Sequence, residues 1–180
     1  GTVTSMMKTL SESGLAEYQP YEGVQLTASG QALALRVIRR HRLIELFLVK
    51  TLDLTWDEVH EEAENMEHAV SDMLVDRIDE FLGRPDHDPH GDPIPKADGT
   101  VSTNDGELLA SIKQGATVRL IRVLDQHPDF LRFLSGSGFG IGAEAVVAAG
   151  HEADSLRLKL NDNLVTISLA EAERLVVELV

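Results

Sequence analysis

Side chains that bind metals or protons crowd one short stretch, Val59-His60-Glu-Glu-Ala-Glu64-Asn-Met-Glu67-His68. If it is helical, 100° per residue places His60, Glu64, Glu67 and His68 inside one stripe about 100° wide. Imidazoles and carboxylates stacked this closely repel one another unless protons or a cation lie among them. His60 and His68 stand eight residues apart, about 12 Å along a helix axis, so one ion cannot take both. The stripe therefore serves two sites, with Glu64, Glu67 and His68 at one and His60 at the other. His41 and Glu45, spaced i,i+4, can face the same ion as His60. Oxygen and imidazole donors without sulfur suit manganese, ferrous iron or zinc. A Glu-rich face can also be merely solvated; the added pair His41 and Glu45 is what favours metal.

Other chemistries lack their residues. The chain has no cysteine, which excludes disulfides, thiolate zinc sites, iron–sulfur clusters and thiol nucleophiles. His60-Glu61 does not begin an H-E-x-x-H motif, because Glu64 stands where the second His belongs. A carboxylate-bridged di-iron bundle needs Glu-x-x-His on two helices, and no second copy exists. No Ser or His sits in a nucleophile elbow, and Gly136, Gly138, Gly140 and Gly142 precede a strand and read as a turn. The expectation is a protein that is not an enzyme. A second cluster, Asp86-His87-Asp-Pro-His90-Gly-Asp92, sits in a Pro-rich stretch without an evident scaffold and reads as a structural loop.

The elements that must position these groups follow from spacing and punctuation. Val3, Met6, Met7 and Leu10 predict a helix ending at Gly14, followed by a hairpin of Leu15–Gln19 and Val24–Thr27 around Pro20-Tyr-Glu-Gly23. A helix running straight into a hairpin is the second half of a winged helix-turn-helix. Thr2, Thr4, Ser5 and Lys8 fall where such folds touch bases and phosphates. A long helix spans Thr27 to Lys50, with Arg36, Arg39, Arg40 and Arg42 read as a solvated face. Thr55-Trp-Asp-Glu58 has capping-box form and opens a second helix to about Val70; Ser71 caps a third to about Gly83.

Residues 84–106 hold Pro85, Pro89, Pro93, Pro95, Gly91 and Gly99 and read as a linker. Beyond it come a helical start at Gly106–Lys113 and strands near Thr117–Leu124, Ala143–Ala148, Ser155–Leu160 and Leu164–Ser168. A short helix at Pro128–Leu134, a turn at Leu169–Glu173 and a last strand to Val180 complete a small β-barrel. The fold class is α+β, with domains at 1–26, 27–83 and 107–180 joined by the linker.

The formal net charge is −14, but residues 1–50 carry six Lys/Arg against four Asp/Glu, and residues 51–180 carry ten against twenty-six. Phosphate contact depends on the local field within a Debye length of about 8–10 Å, so the first fifty residues could meet DNA while the rest stay clear. No apolar run approaches the roughly 18 residues of a membrane helix. With no leader in the given residues, the expected address is cytoplasmic.

Helix, wing, Arg-Arg-His41-Arg-Leu-Ile-Glu45, Val-His60-Glu-Glu-Ala-Glu64-x-x-Glu67-His68 and His90-Gly-Asp-Pro-Ile-Pro95 occur in that order. In this the sequence resembles the DtxR/MntR family of metal-dependent transcriptional repressors. The resemblance implies a winged helix-turn-helix remnant, an all-α dimerisation domain and a small SH3-like (FeoA-like) β-barrel. It implies a homodimer on a near-palindromic double-stranded DNA operator, and about 35 further residues before the start of this chain. Glu64, Glu67 and His68 match the family's primary metal site, completed by a first-helix ligand. His41, Glu45 and His60 match the ancillary site, with Asp125 the expected acidic ligand from the barrel and Gln126 beside it. The iron-sensing branch has Cys where this chain has Glu64; a second carboxylate makes the site all-hard, which implies Mn2+, with Fe2+ the alternative and Zn2+, Co2+ or Cd2+ as in vitro substitutes.

Overall fold

The structure, a computed structural model, describes residues 2–19, 23–103, 106–148 and 154–180, leaving aside the side chains of Thr2 and Gln19. Helix α1 (Thr2–Glu12) leads into an antiparallel pair, β1 (Ala16–Gln19) and β2 (Gly23–Leu26), with Ala16 opposite Leu26. The expected hairpin is there, and its tip, residues 20–22, lies outside the described residues.

Helix α2 (Ala28–Leu52) starts at Thr27, whose hydroxyl accepts from Gly30 N–H at 3.1 Å, and stops at Asp53, which turns left-handed at φ 54°. It divides its apolar surface between two partners. Leu43 and Leu46 pack with Val75 and Ile78 of α4 (Asp72–Phe81) and with Ile94, while Ile44 and Leu48 pack with Val59 and Ala63 of α3 (Val59–Glu67). At 100° per residue, His41 and Glu45 lie about 40° apart on the Leu48 side of α2. The packing that buries Leu48 therefore carries both to the α2–α3 seam. Helix α3 begins later than its capping box suggested. Glu58 does reach back to Thr55 N–H and Oγ, at 3.0 and 2.7 Å, but residues 56–58 form a separate turn. Ser71 caps α4 through Leu74 N–H as expected.

Two expectations fail here. Of the arginines of α2 only Arg36 lies on a solvated face. Arg39 is buried and reaches the Pro95 carbonyl at 3.0 Å and Asp79 at 2.9 Å, and Arg42 reaches the Pro93 carbonyl. Arg36 and Arg40 both pair with Asp72. Nor is the Pro-rich stretch slack over its first half. Asp88 Oδ1 accepts from the backbone N–H of His90 and Asp92 at 2.8 and 3.0 Å, folding the loop around one buried carboxylate, and Ile94 enters the α2–α4 core. The arginine forks supply donors to carbonyls that a proline-rich backbone cannot pair with itself.

The remaining residues form a six-stranded antiparallel sheet in the order β3-β8-β4-β5-β6-β7. Its strands are β3 (Glu107–Leu108), β4 (Thr117–Val123), β5 (Glu144–Val147), β6 (Ser155–Leu160), β7 (Asn163–Ser168) and β8 (Leu175–Leu179), with helices α5 (Pro128–Ser137) and α6 (Leu169–Ala172) between them. The helical start expected at 106–113 is instead β3 and one 3-10 turn, Leu109–Ser111. Alternate residues of β4 and β6, among them Val118, Leu120, Leu156 and Leu158, close on Phe130, Leu131 and Leu134 of α5. No helix among the described residues is long and apolar enough to cross a membrane.

The 88–92 loop is clamped between the two parts. Val123 N–H of β4 donates to the His90 carbonyl at 2.9 Å, and Arg122 pairs with Asp92. Gly91, at φ +83°, makes this approach possible, since a Cβ there would sit 2.0 Å from the Ile121 carbonyl oxygen. Gly91→Ala should therefore cost at least roughly 1–3 kcal/mol for the strained backbone alone. Urea unfolding should show a lower midpoint; an unchanged midpoint would mean that the loop does not hold the two parts together.

Candidate metal centre

Carboxylates and imidazoles alternate along the α2–α3 seam. His68 Nε2 lies 3.6 Å from Glu67 Oε1, and Glu67 Oε2 lies 2.9 Å from His41 Nδ1. His41 Nε2 is 3.0 Å from Glu45 Oε1, which is 3.3 Å from His60 Nδ1; His60 Nε2 is 3.5 Å from Glu64 Oε1. The string runs from solvent, where the His68 side chain is 84% exposed, to Glu45, which is 1% exposed. Burying Glu45 requires compensation for its charge, and Oε1 finds it in His41 and His60.

The second oxygen of Glu45 faces another group. Oε2 lies 3.8 Å from His90 Nδ1, which is 3.9 Å from Asp88 Oδ1. His90 is fully buried, and its Nε2 sits 2.7 Å from the Trp56 carbonyl oxygen. A carbonyl only accepts, so Nε2 carries a hydrogen and donates it. Nδ1 is then the nitrogen aimed between two carboxylates, and it has no hydrogen-bond partner; Asp88 Oδ2 has no hydrogen bond either but pairs with Arg42 Nε at 3.5 Å. A buried polar atom without a partner costs about 1–3 kcal/mol. An imidazole whose far N–H is held by a carbonyl, with its near nitrogen beside carboxylates, is the arrangement that orients a histidine toward a metal. Two sets of donors converge among the described residues, His41 with Glu45 and His60, and Glu45 with Asp88 and His90.

The expected ligands are distributed unevenly. His41, Glu45 and His60 meet. Glu64, Glu67 and His68 do not converge on a common point, because Glu67 turns to His41, Glu64 turns to His60, and His68 stands at the exposed carboxyl end of α3. Gln126 reaches the same cleft, about 360 Å3, and donates to Asp92 Oδ2 at 2.9 Å. Asp125 points elsewhere, to Arg174 and to His127 N–H. On α1, Thr4, Ser5 and Lys8 are exposed, with Lys8 3.8 Å from Glu12, while the Thr2 side chain lies outside the described residues. The sequence alone places both Asp88 and His90 in a structural loop rather than among the candidate ligands. The signal was the alternation Asp88-x-His90-x-Asp92, which a proline-rich context disguised as a turn.

Protons do part of a cation's work here. Burial alone would lower the His41 pKa, but Glu45 and Glu67 on either side outweigh it and hold the ring above its ordinary 6.5. Burial likewise pushes Glu45 up, and His41, His90 and His60 together bring it below its ordinary value. The Asp88 carboxyl is raised by burial to about 6; His90 opposes that shift, and Glu45 and Asp92 add to it.

A helical unit carrying this acid–imidazole seam, followed by a small sheet domain, defines a class that comparison with known proteins makes specific. Residues 27–96 match the family described as iron dependent repressor, metal binding and dimerisation domain, and residues 108–179 match the FeoA domain. The chain is 30% identical over 154 residues to the diphtheria toxin repressor of Corynebacterium glutamicum, covering 79% of this chain and 67% of that protein. It is 38% identical over 94 residues to the iron-dependent repressor IdeR of Mycobacterium tuberculosis, 52% of this chain but only 41% of that relative's length. A solved structure described as a manganese-dependent transcriptional repressor in complex with manganese superposes with a TM-score of 0.89 at 39% identity, covering 99% of this chain and 84% of that one. The chain belongs to the DtxR/MntR family of metal-dependent transcriptional repressors.

Because His41 holds a proton above its ordinary pKa and Asp88 holds one up to about 6, a divalent cation entering the seam must displace protons. Its affinity should rise with pH, first through about pH 6 as Asp88 loses its proton and again above pH 6.5 as His41 loses its own. Calorimetry in buffers of different ionisation enthalpy should register proton release. A pH-independent affinity would place binding elsewhere.

Proposed function

We propose that this chain is a divalent-metal-dependent, DNA-binding transcriptional repressor of metal-homeostasis genes, with manganese as its metal. The observation that carries the reading is the buried Glu45 carboxylate. One of its oxygens faces His41 and His60 and the other faces the unpartnered His90 nitrogen. Arg42 offsets part of the buried charge from 3.5 Å off Asp88 Oδ2, but it leaves His90 Nδ1 beside Glu45 without a partner, which favours a cation there over a purely structural role. Membership of a repressor family supplies the other half of the argument.

His41, Glu45 and His60 would hold one ion, Glu45, Asp88 and His90 would hold a cation on the far side of the same carboxylate, and Glu64, Glu67 and His68 would hold the activating ion. A bound ion supplies positive charge where the carboxylates otherwise repel. Glu64, Glu67 and His68, drawn together, would fix the carboxyl end of α3 against the DNA-binding unit. In a homodimer that sets the spacing of two recognition helices, which must enter major grooves about one helical turn apart, or a multiple of it. Thr2, Thr4, Ser5 and Lys8 of α1 would face the operator, in the part of the chain whose charge balance is positive. Such a regulator works where the DNA is, in the cytoplasm.

Manganese is favoured over iron by the donor set. Carboxylates at both Glu64 and Glu67 suit a hard ion, whereas the iron-sensing branch has a thiolate at the first of these positions. Fe2+ is the second reading, and a relative named an iron-dependent repressor supports it; Zn2+, Co2+ and Cd2+ would substitute in vitro.

His68 is largely exposed, so His68→Ala should leave fold and dimer intact while abolishing metal-dependent operator binding. Fluorescence anisotropy of the full-length protein on a duplex selected from genomic DNA in Mn2+ would measure this. Equal affinity with and without Mn2+ in the unmutated protein overturns the reading. Separately, Glu64→Cys should shift activation toward Fe2+ in the same assay; an unchanged metal ranking would discard the selectivity argument while leaving the repressor intact.

A further inference from the structure

Trp56 touches both the buried cation pocket and the sheet domain. Its carbonyl accepts from His90 Nε2 at 2.7 Å, and its ring lies parallel to the His90 ring, 6.1 Å between centroids and 13° between planes. Its indole N–H donates to Ser135 Oγ of α5 at 2.7 Å, and its ring packs against the core of the sheet domain. The next residue, Asp57, pairs with Arg132 of α5 at 3.1 Å. One dipeptide therefore fixes α5 on one side and the His90 tautomer on the other. We propose that Trp56 is the positioning residue through which cation occupancy at His90 and the docking of α5 control one another. This rests on reading Glu45, Asp88 and His90 as a cation pocket, and it adds a route of regulation to that reading.

The coupling follows from polarisation. Positive charge on His90 Nδ1 withdraws density from the ring and strengthens the N–H donated from Nε2. The acceptor is the Trp56 carbonyl, so a tighter bond there holds the Trp56 backbone in the position from which the indole reaches Ser135. Linkage makes the effect reciprocal: whatever loosens α5 from the indole must weaken the cation by the same factor. A competing route runs through β4, whose Val123 N–H and Arg122 hold the His90 carbonyl and Asp92 without passing through Trp56.

Ser135 is exposed, so its variants test the route without disturbing a core. In the full-length protein, Mn2+ binding is read from the paramagnetic signal of the free ion, and docking from amide hydrogen exchange over residues 128–137 with and without Mn2+. In the unmutated protein Mn2+ should slow exchange across α5. Ser135→Ala should remove most of that slowing and weaken Mn2+ binding by roughly fivefold, the scale of one net hydrogen bond. Ser135→Thr, which restores the hydroxyl, should recover both. If Ser135→Ala changes neither the affinity nor the Mn2+-dependent protection, while Asp88→Asn, which touches only the His90 set, still removes Mn2+, the cation pocket stands and the Trp56 route is wrong. If the unmutated protein binds no Mn2+ that Asp88→Asn removes, the pocket reading falls and the coupling falls with it.

Discussion

A carboxylate sealed inside the seam of two helices must be compensated, and Glu45 sets the terms for everything around it. At 1% exposure it has exchanged water for His41, His60 and the neighbourhood of His90. Stripping a carboxylate of solvent costs several kcal/mol even after the protein relaxes, so its partners are obligatory. The protein obtains them by placing each imidazole between two acids. His41 lies between Glu45 and Glu67, and His60 between Glu45 and Glu64. An imidazole between carboxylates is a proton carrier at low pH and a metal ligand at higher pH, so the groups that keep Glu45 buried also equip the seam to bind a cation.

The same economy governs the join between the helical part and the sheet domain. A proline-rich segment has few backbone donors and would ordinarily stay in water. Here Arg39 and Arg42 reach across from α2 to the carbonyls of Pro95 and Pro93, and Asp88 gathers the amides of His90 and Asp92. With those groups satisfied the segment can be buried, and β4 closes over it. The loop that brings His90 to Glu45 is thus also the surface on which the sheet domain rests. The two meet directly, through the Val123–His90 hydrogen bond and the Arg122–Asp92 pair.

How much of this is legible in the sequence depends on whether the signal is local. The caps at Thr27 and Ser71, the hairpin and the inward alternation of β4 and β6 are local, and each lies where its residues place it. The i,i+4 pair His41 and Glu45 and the His60 position are legible for the same reason, since helix periodicity alone aims them together. What escaped is set by chain-distant packing. The guanidinium of Arg42 looks solvated in sequence because its carbonyl partner stands about fifty residues away. Asp88 and His90 read as a turn because nothing near them announces the Glu45 carboxylate. Asp125, expected in the seam, is taken up by Arg174, an ion pair that no short-range pattern could indicate, and Gln126 lies in the cleft instead. Glu107 and Leu108 pair with β8, about seventy residues later, and that pairing overrides the helical spacing of their segment.

The proton content of the seam also explains how it can be both a stable interior and a responsive one. Were His41 at its ordinary pKa, a neutral ring would leave Glu45 and Glu67 facing each other with little between them. Because Glu45 and Glu67 raise the pKa of the ring above its ordinary 6.5, the seam favours a proton between the two carboxylates where a cation would otherwise sit. The cation then competes with that proton, and its apparent affinity is lowered by the free energy of displacing it. An all-oxygen and imidazole pocket that must first release protons binds a divalent cation more weakly than its donors alone would allow. That weakness is compatible with sensing. A site that filled at any trace of metal could not report a change in concentration, whereas one held together by its own protons can empty without unfolding and be refilled.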